Sequence, residues 1–147
     1  VVPVVKKNLQ REGAYESPGL TQTHYAPRTP FTLMDKDYAS FTNELQHLFD
    51  ACRHGGVAWP RIGLISFDQK SKEPWFQAME ALSVKGDLYE AAANLFQAIR
   101  KLDKMNLDLI VAETFPEKGL GLAIMDRLKK ATGGSRGLDK FFAGIEL

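Results

Sequence analysis

The chain has 147 residues, 44% of them hydrophobic, which suits one domain with one buried core. Its 19 Lys and Arg against 18 Asp and Glu give a net charge of +1, so composition does not indicate a nucleic-acid-binding protein. The single cysteine, Cys52, excludes an internal disulfide and a multi-cysteine metal site, and no apolar run approaches the roughly 20 residues that cross a bilayer. We therefore expect a cytoplasmic protein without a membrane partner.

The first 30 residues are predicted to form an extended linker. They show almost no hydrophobic periodicity, and Pro18, Pro27 and Pro30 each fix φ, lack an N–H and push the preceding residue toward extended geometry. A connection of this length without secondary structure is more often functional than accidental. The sequence thus divides into an interdomain linker over residues 1–30 and a folded domain over residues 31–147.

Four strands are predicted in the folded part. Residues 31–34 and 61–67 are β-prone runs, and the end of the ambiguous run 76–83 is interpreted as a third strand, although a helix would suit its residues equally well. Residues 107–114 are apolar on both faces at their centre, as expected for a strand buried inside a parallel sheet.

Three helices are predicted between and after these strands. The first begins near Asp37 and ends at Gly55 and Gly56, which would supply a left-handed exit. The second opens with Asp87 and Glu90 at the spacing of a capping box, and the third runs from about residue 120 to 131 before Gly133 and Gly134. This alternation predicts an α/β fold: a small Rossmann-like three-layer domain with a mostly parallel sheet and right-handed crossovers.

Gly119 and Gly121 form a candidate anion-binding site. They follow the last predicted strand and open the third helix, where free N–H groups and the helix dipole could hold an anion. A dinucleotide fingerprint needs a third small residue where Ile124 stands. A close strand-to-helix turn without a ligand is the interpretation we favour.

No catalytic or metal-binding set can be recognised. His47 and His54 lie seven residues apart, which is not a metal-ligand spacing, so both are interpreted as surface histidines. Cys52 shares the apolar stripe of the first helix and is interpreted as a core thiol. Arg127, Lys129 and Lys130 make the C-terminal portion locally basic, and an ordinary solvated helix face explains them most simply.

His24 and Tyr25 are the linker's candidate functional side chains. A tyrosine offers a flat face for a purine, and a neighbouring histidine can donate to phosphate or carboxylate oxygens. Alternatively, the two side chains simply pin the linker to a domain surface. The residues alone do not favour either interpretation.

Three blocks of sequence resemble the C-terminal domain of two-domain threonylcarbamoyl-AMP synthases of the YrdC/Sua type. They are the linker with Ser-Pro-Gly and His-Tyr-Ala-Pro (17–30), the block Ala-Ala-Ala-Asn-Leu-Phe-Gln-Ala-Ile-Arg-Lys-Leu-Asp (91–103) and the block Gly-Leu-Gly-Leu-Ala-Ile-Met-Asp-Arg-Leu (119–128). The resemblance covers roughly residues 15 to 132. Thr21-Gln22-Thr23 departs from the basic and aromatic residues common there, which puts direct phosphate contacts from that part of the linker in doubt.

The resemblance implies an enzyme that condenses L-threonine, bicarbonate and ATP, with Mg²⁺, into threonylcarbamoyl-AMP and pyrophosphate, for threonylcarbamoyladenosine modification of tRNA. A catalytic YrdC-like domain would precede the linker in cis and bind ATP and L-threonine, so this chain alone is expected to bind no cofactor and to be inactive. Ser17, His24 and Tyr25 would help to close that site, and contact with tRNA would be indirect. The alternatives are a stand-alone nucleotide- or anion-binding Rossmann-like regulatory module and a domain that contacts tRNA through Arg127, Lys129 and Lys130.

Overall fold

The computed structural model describes residues 26–142, and in that range every predicted element is present. In chain order the elements are β1 (Phe31–Leu33), α1 (Tyr38–His54), β2 (Ile62–Ser66), β3 (Ala78–Ala81), α2 (Leu88–Asp103), β4 (Leu109–Ala112) and α3 (Leu120–Thr132). The ambiguous run after residue 76 ends in a strand, as predicted, and the α/β fold class is confirmed.

The four strands form one sheet in the order β1-β4-β2-β3, and each neighbouring pair is parallel. The sheet was predicted to be mostly parallel, and over the described residues it is entirely so. The register places Ile62 beside Leu109 and Leu64 beside Val111. All four residues of β4 are buried, which explains why this inner strand is apolar on both faces.

Alternate residues of each strand face opposite layers of the domain. Leu33, Ile65 and Ile110 belong to the apolar cluster formed with α2 and α3. Leu64 and Val111 belong to the cluster formed with α1. Because side chains alternate along a strand, one sheet supplies the middle of both cores, and the domain has three layers with α1 on one face and α2 and α3 on the other.

The tail after α3 packs on the same face as α1. Phe141 is fully buried, and the ring of Phe142 stacks on Trp59 with centroids 5.5 Å apart. Burying a side chain of this size contributes roughly 1.5–3 kcal/mol. The tail is thus part of the α1 layer.

The helices begin and end where the sequence predicts, but the exit of α1 differs from the prediction in one detail. Asp37 caps α1 by accepting the Ser40 N–H at 2.7 Å, which lowers the pKa of Asp37. At the exit of α1 only Gly56 has a positive φ, of 70°, because Gly55 still lies near helical geometry with φ −87°. Gly133 ends α3 in the left-handed conformation that the sequence predicts.

The predicted capping box of α2 is wrong in its second half. Asp87 accepts the Tyr89 N–H at 2.9 Å, but Glu90 does not bond back to Asp87. The Asp87 N–H instead donates to the Ser83 hydroxyl at 2.9 Å, and that hydroxyl donates to Glu90 at 2.6 Å. The hydroxyl of the buried Ser83 thus connects Asp87 to Glu90 through two hydrogen bonds. We call this three-residue chain of hydrogen bonds the relay.

Candidate functional site

Because all four strands run the same way, the domain has an amino edge, where the strands begin, and a carboxyl edge, where they end. Ligands of open parallel α/β sheets usually bind outside the carboxyl edge. The end of the predicted linker lies at the amino edge, just before β1, whereas Gly119 and Gly121 lie at the carboxyl edge, just after β4. The candidate residues are therefore divided between opposite edges of the sheet.

At the amino edge, the described end of the linker is held by Asp103, the last residue of α2. The two carboxylate oxygens of Asp103 accept the N–H of Arg28 at 3.2 Å and the N–H of Thr29 at 2.9 Å. The Thr29 hydroxyl also donates to Asp103, at 2.8 Å. Pro30 continues into the sheet, where its carbonyl accepts the Ile110 N–H at 2.8 Å.

The residues around these hydrogen bonds are packed against the domain. Ala26 is 2% exposed, and Pro27 and Thr29 are also buried, whereas Arg28 points its side chain into solvent. The predicted linker therefore already belongs to the packed domain from residue 26 onward. The boundary drawn at residue 30 marks the start of β1.

Asp103 was not predicted as a site residue. A signal for it exists in the sequence: the negative end of the helix dipole disfavours a carboxylate in the last turn, where Arg100 and Lys101 are the usual kind of residue. An acid at such a position indicates a tertiary partner. The sequence alone does not identify the segment that contains this partner.

Ser17, His24 and Tyr25 lie outside the described residues, so their predicted role in closing a site stays a prediction. His47 and His54 are exposed, and Cys52 is buried, as interpreted from the sequence. Burial raises the pKa of the Cys52 thiol, which disfavours the reactive thiolate.

At the carboxyl edge, Gly119 and Gly121 form a close strand-to-helix turn. Gly119 has φ 59° and ψ −135°, a conformation that suits glycine. A Cβ on Gly121 would lie 1.9 Å from the Pro116 carbonyl oxygen. The Gly121 N–H donates to the Lys118 carbonyl at 3.1 Å, so this N–H is used inside the turn. Anion binding here stays a prediction.

Open cavities also lie along the described surface, and two of them adjoin helix starts. One, of about 590 Å³, adjoins the start of α2 and is lined in part by Lys70, Ser83 and Lys85. The other, of about 340 Å³, lies beside α1, and Tyr38, Glu73 and Trp75 are among its lining residues.

The Tyr38 hydroxyl in the second cavity wall is buried without a hydrogen-bond partner among residues 26–142. Burial raises the pKa of Tyr38 to about 12, and the negative charges of Glu73 and Glu113, with a weak interaction between the hydroxyl and Glu73, add to the effect. The indole N–H of Trp75 is likewise buried without a partner in this range. Neither atom is reached by solvent, so neither offers a hydrogen bond to a molecule in the open cavity.

The three basic residues proposed for tRNA contact are exposed on α3 and already have neighbours. The Arg127 guanidinium lies over the Phe96 ring, 5.5 Å from its centroid. Lys129 pairs with Glu117 at 2.8 Å and Lys130 with Asp126 at 3.0 Å. The Lys129 ammonium lowers the pKa of Glu117, and both lysine charges are partly neutralised locally. Contact with tRNA stays a prediction.

Within residues 26–142, no group of three or more His, Cys, Asp and Glu side chains is placed to hold a metal ion. None of the helices in this range is long and apolar enough to cross a membrane.

Comparison with known proteins gives consistent matches. The family model for the threonylcarbamoyl-AMP synthase C-terminal domain matches residues 2–133. Threonylcarbamoyl-AMP synthase of Bacillus subtilis is 36% identical over 118 residues, which cover 80% of this chain and 32% of that protein. The Pyrococcus abyssi protein of the same name is 33% identical, with the same coverage.

Solved structures of the P. abyssi protein match in three dimensions. The structure of P. abyssi Sua5 complexed with L-threonine gives a TM-score of 0.59 at 29% identity, covering 76% of this chain and 30% of that one. A P. abyssi Sua5 variant in which a histidine and the tyrosine after it are replaced by alanine gives a TM-score of 0.58 at 29% identity, covering 75% and 29%.

The chain thus spans about a third of the length of the curated relatives it matches, at 32% of both the B. subtilis and P. abyssi proteins. The family model covers most of the chain and includes nearly all of the predicted linker. This protein belongs to the family of threonylcarbamoyl-AMP synthase C-terminal domains.

Proposed function

We propose that this chain is the accessory domain and the active-site-covering linker of an L-threonylcarbamoyladenylate synthase. A catalytic domain of the YrdC type, joined in cis before the linker, binds ATP, Mg²⁺ and L-threonine and makes threonylcarbamoyl-AMP and pyrophosphate from them and bicarbonate. The product serves threonylcarbamoyladenosine formation in tRNA, in the cytoplasm. The chain itself contributes positioning and closure, and by itself it is inactive.

The observation that carries this proposal is the family match, which begins at residue 2 and therefore spans the linker together with the folded domain. The curated relatives are about three times longer than the match, which leaves room for a separate catalytic domain. Ser17, His24 and Tyr25 lie within the matched segment. A solved relative with a consecutive histidine and tyrosine changed to alanine supports choosing His24 and Tyr25 for the test.

Closure would act by excluding water from the bound adenylate and by holding the substrates in reactive geometry. In this arrangement Tyr25 stacks on the purine, and His24 and Ser17 donate hydrogen bonds to phosphate or carboxylate oxygens. Both kinds of contact need the linker to reach the catalytic domain. They require no reacting group on the folded domain itself.

The test measures pyrophosphate release from ATP in the presence of L-threonine and bicarbonate. The 147-residue chain alone is expected to release none above background, whereas the two-domain protein that carries it is expected to be active. In the two-domain protein, the double change His24→Ala and Tyr25→Ala is expected to lower kcat/KM by about tenfold or more, a typical loss when substrate positioning is disturbed.

Activity of the isolated chain would refute the assignment of an accessory domain. Unchanged kinetics of the His24→Ala, Tyr25→Ala protein would refute the role of the linker. His47→Ala, which changes an exposed histidine on α1, serves as the control and is expected to leave the rate unchanged.

A further inference from the structure

The sheet has two outer strands, and the described chain covers only one of them. At β1, the Leu33 N–H donates to the Ser135 carbonyl at 3.0 Å, and the Leu33 carbonyl accepts the Gly137 N–H at 2.8 Å. The segment after α3 thus pairs along the outer side of β1. The other outer strand, β3, has no such neighbour among residues 26–142.

The backbone groups that β3 directs outward can be identified from its pairing with β2. The Leu82 N–H, directly after β3, donates to the Ser66 carbonyl at 2.8 Å. Because successive residues of a strand direct their N–H and C=O groups to opposite sides, Glu80 also bonds toward β2, whereas Met79 and Ala81 direct theirs outward. No residue in the described range bonds to these outward groups. We call the outward N–H and C=O groups of Met79 and Ala81 the open side of β3.

Two adjoining cavities form a groove between this part of β3 and α2. The cavity of about 590 Å³ and another of about 230 Å³ share Ala81 and Asn94 in their walls. The Asn94 side chain donates to the Leu82 carbonyl at 2.8 Å, which holds α2 to the end of β3. The groove reaches from Glu90 to Lys101 of α2, and it is therefore about 16 Å long, the length of about five extended residues.

The charged side chains along the groove are mostly basic. Lys70, Lys85 and Lys101 line it against Glu80 and Glu90. Lys101 pairs with Glu80 at 3.4 Å, and Lys85 lies 3.9 Å from Glu90. Lys70 makes no ion pair with any residue that the structure describes. The larger cavity therefore offers a lysine that an acidic group of a bound molecule can neutralise.

We propose that the open side of β3 binds an extended peptide segment of a partner protein as an additional strand, with an acidic side chain of that segment beside Lys70 and Lys85. Main-chain hydrogen bonds to Met79 and Ala81 supply the affinity, and the groove supplies the specificity. Because side chains alternate along a strand, every second side chain of the peptide lies over the groove. This site is separate from the proposed function and consists of described residues alone.

A second copy of this chain fits the open side of β3 less well. In a two-fold dimer the two copies of β3 would pair antiparallel, and the register that uses Met79 and Ala81 of both copies places the two Glu80 side chains opposite each other. Like charges directly opposite are destabilising. A strand of four residues also offers little of the roughly 1,200 Å² that a stable interface buries.

The first experiment titrates the 147-residue chain with a fluorescein-labelled peptide in which threonine and valine alternate around a central glutamate. Fluorescence anisotropy at low ionic strength is expected to show saturable binding with a Kd below about 1 mM. The same peptide with glutamine in place of glutamate is expected to bind about threefold more weakly. Equal binding of the two peptides, or no saturable binding up to about 1 mM, would overturn the proposal.

Amide hydrogen exchange locates the bound peptide. Near saturation, exchange at Met79 and Ala81 is expected to slow by about fivefold or more, because their N–H groups gain acceptors. The Leu33 N–H already donates to Ser135, so its exchange serves as the internal control and should not change. Binding that protects neither Met79 nor Ala81 would contradict the site.

Ala81→Pro tests the main-chain pairing. The change removes one outward N–H in an outer strand, a position where proline is tolerated, so the domain is expected to stay folded by urea unfolding. Peptide binding is expected to weaken by about tenfold or more. Ala81→Ser keeps the N–H and should bind as the unchanged chain does. Normal binding by a folded Ala81→Pro chain would refute strand addition.

Lys70→Gln and Lys72→Gln form a matched pair that leaves β3 unchanged. Both lysines are exposed in the loop before β3, but only Lys70 belongs to the wall of the larger cavity. Lys70→Gln is expected to weaken binding of the glutamate peptide by about threefold, and Lys72→Gln is expected to leave it unchanged. Equal losses in both variants would indicate general charge attraction and would overturn the acidic contact.

Sedimentation velocity of the chain without peptide tests the other occupant. A monomer is expected for the unchanged chain and for Ala81→Pro. A dimer that Ala81→Pro converts to a monomer would assign the open side of β3 to a second copy and would overturn the proposal.

Discussion

The two edges of the sheet use their polar groups differently. At the amino edge, Asp103 directs its carboxylate to the linker, which enters the domain there. At the carboxyl edge, the acidic side chains bond to loops of the folded domain itself. Glu113 accepts the Phe67 N–H in the loop after β2, and Glu90 accepts the Ser83 hydroxyl in the loop before α2. At the edge that binds ligands in most Rossmann-like sheets, these acids are used in hydrogen bonds within the domain, and the open cavity of about 590 Å³ lies beside the start of α2.

This difference shows how little the fold by itself says about function. A parallel sheet with a glycine turn after a central strand resembles a dinucleotide-binding domain in outline, but one fold supports many functions. In this chain the blocks shared with the enzyme family reach both edges, because the block 91–103 ends at the amino edge and the block 119–128 begins at the carboxyl edge. Changes at the carboxyl edge that break its hydrogen bonds or its close approaches should alter stability.

The largest effect at the carboxyl edge is expected for Gly121→Ala. A Cβ at this position would lie 1.9 Å from the Pro116 carbonyl oxygen, so α3 or the turn before it must move. We expect a loss of about 3 kcal/mol or more in the free energy of unfolding, at the upper end of the cost of overpacking. Urea denaturation followed by circular dichroism measures it.

Gly63→Ala is the matched control for this glycine. Its Cβ would lie 2.6 Å from Cδ1 of Leu107, the far end of a flexible side chain, whereas the obstacle at Gly121 is backbone. We expect a smaller loss, of about 1–2 kcal/mol, and partial recovery in the double variant Gly63→Ala, Leu107→Val. If Gly121→Ala were the milder of the two, the turn would be more open than described, and an anion could be accommodated there.

Ser83→Ala tests the relay at the start of α2. The change removes the acceptor of the Asp87 N–H and the donor to Glu90, and Ser83 is only 2% exposed, so water cannot easily replace its hydroxyl. We expect a loss of about 1–2 kcal/mol, typical of a buried hydrogen-bonding group that leaves its partners unsatisfied. Thermal or urea unfolding measures the change.

Glu90→Gln separates the relay from a simple charge effect at the helix N-terminus. The amide oxygen can still accept the Ser83 hydroxyl, so we expect most of the stability to remain. A loss as large as that of Ser83→Ala would show that the negative charge of Glu90, and not the hydrogen bond, stabilises the start of α2.

The sequence predicted the elements better than their contacts. Periodicity and turn residues located each strand and helix, and the apolar run after residue 107 correctly indicated an inner parallel strand. The partner of Glu90 was predicted wrongly because Ser83 lies before the helix, and local spacing does not show where a preceding loop folds back.

The hydrogen bonds from Arg28 and Thr29 to Asp103 could not be predicted from the sequence for a related reason. More than seventy positions separate the linker from the end of α2, and only the packing of α2 on the sheet brings them together. Local pattern is set by neighbours along the chain, whereas such a contact depends on the whole topology. The close approach of Gly121 to Pro116 was anticipated as a tight turn, since Pro116 lies in the short connection to α3 and Gly121 lies in the first turn of that helix.

The smallest change in stability is expected for Tyr38→Phe. This variant alters the first residue of α1, which lies at the carboxyl edge. The Tyr38 hydroxyl makes no hydrogen bond of ordinary length among the described residues and interacts only weakly with Glu73, so its removal leaves little unsatisfied. At neutral pH the free energy of unfolding should change by less than about 0.5 kcal/mol or rise slightly. Tyr89→Phe, at a side chain that is 77% exposed, provides the control.

The same variant should change the response to alkaline pH. Burial raises the pKa of Tyr38 from 10.0 to about 12, so the folded state binds this proton more tightly than the unfolded chain does. Its contribution to stability is complete below pH 10 and declines as the pH rises toward 12, and Tyr38→Phe should lessen that decline. Unfolding measured at several pH values, with absorbance at 295 nm to follow tyrosinate, tests this. If Tyr38→Phe lowered stability by more than about 1 kcal/mol at neutral pH, the hydroxyl would have a strong hydrogen-bond partner. Tyr38 would then resemble the other hydrogen-bonded polar groups of the carboxyl edge.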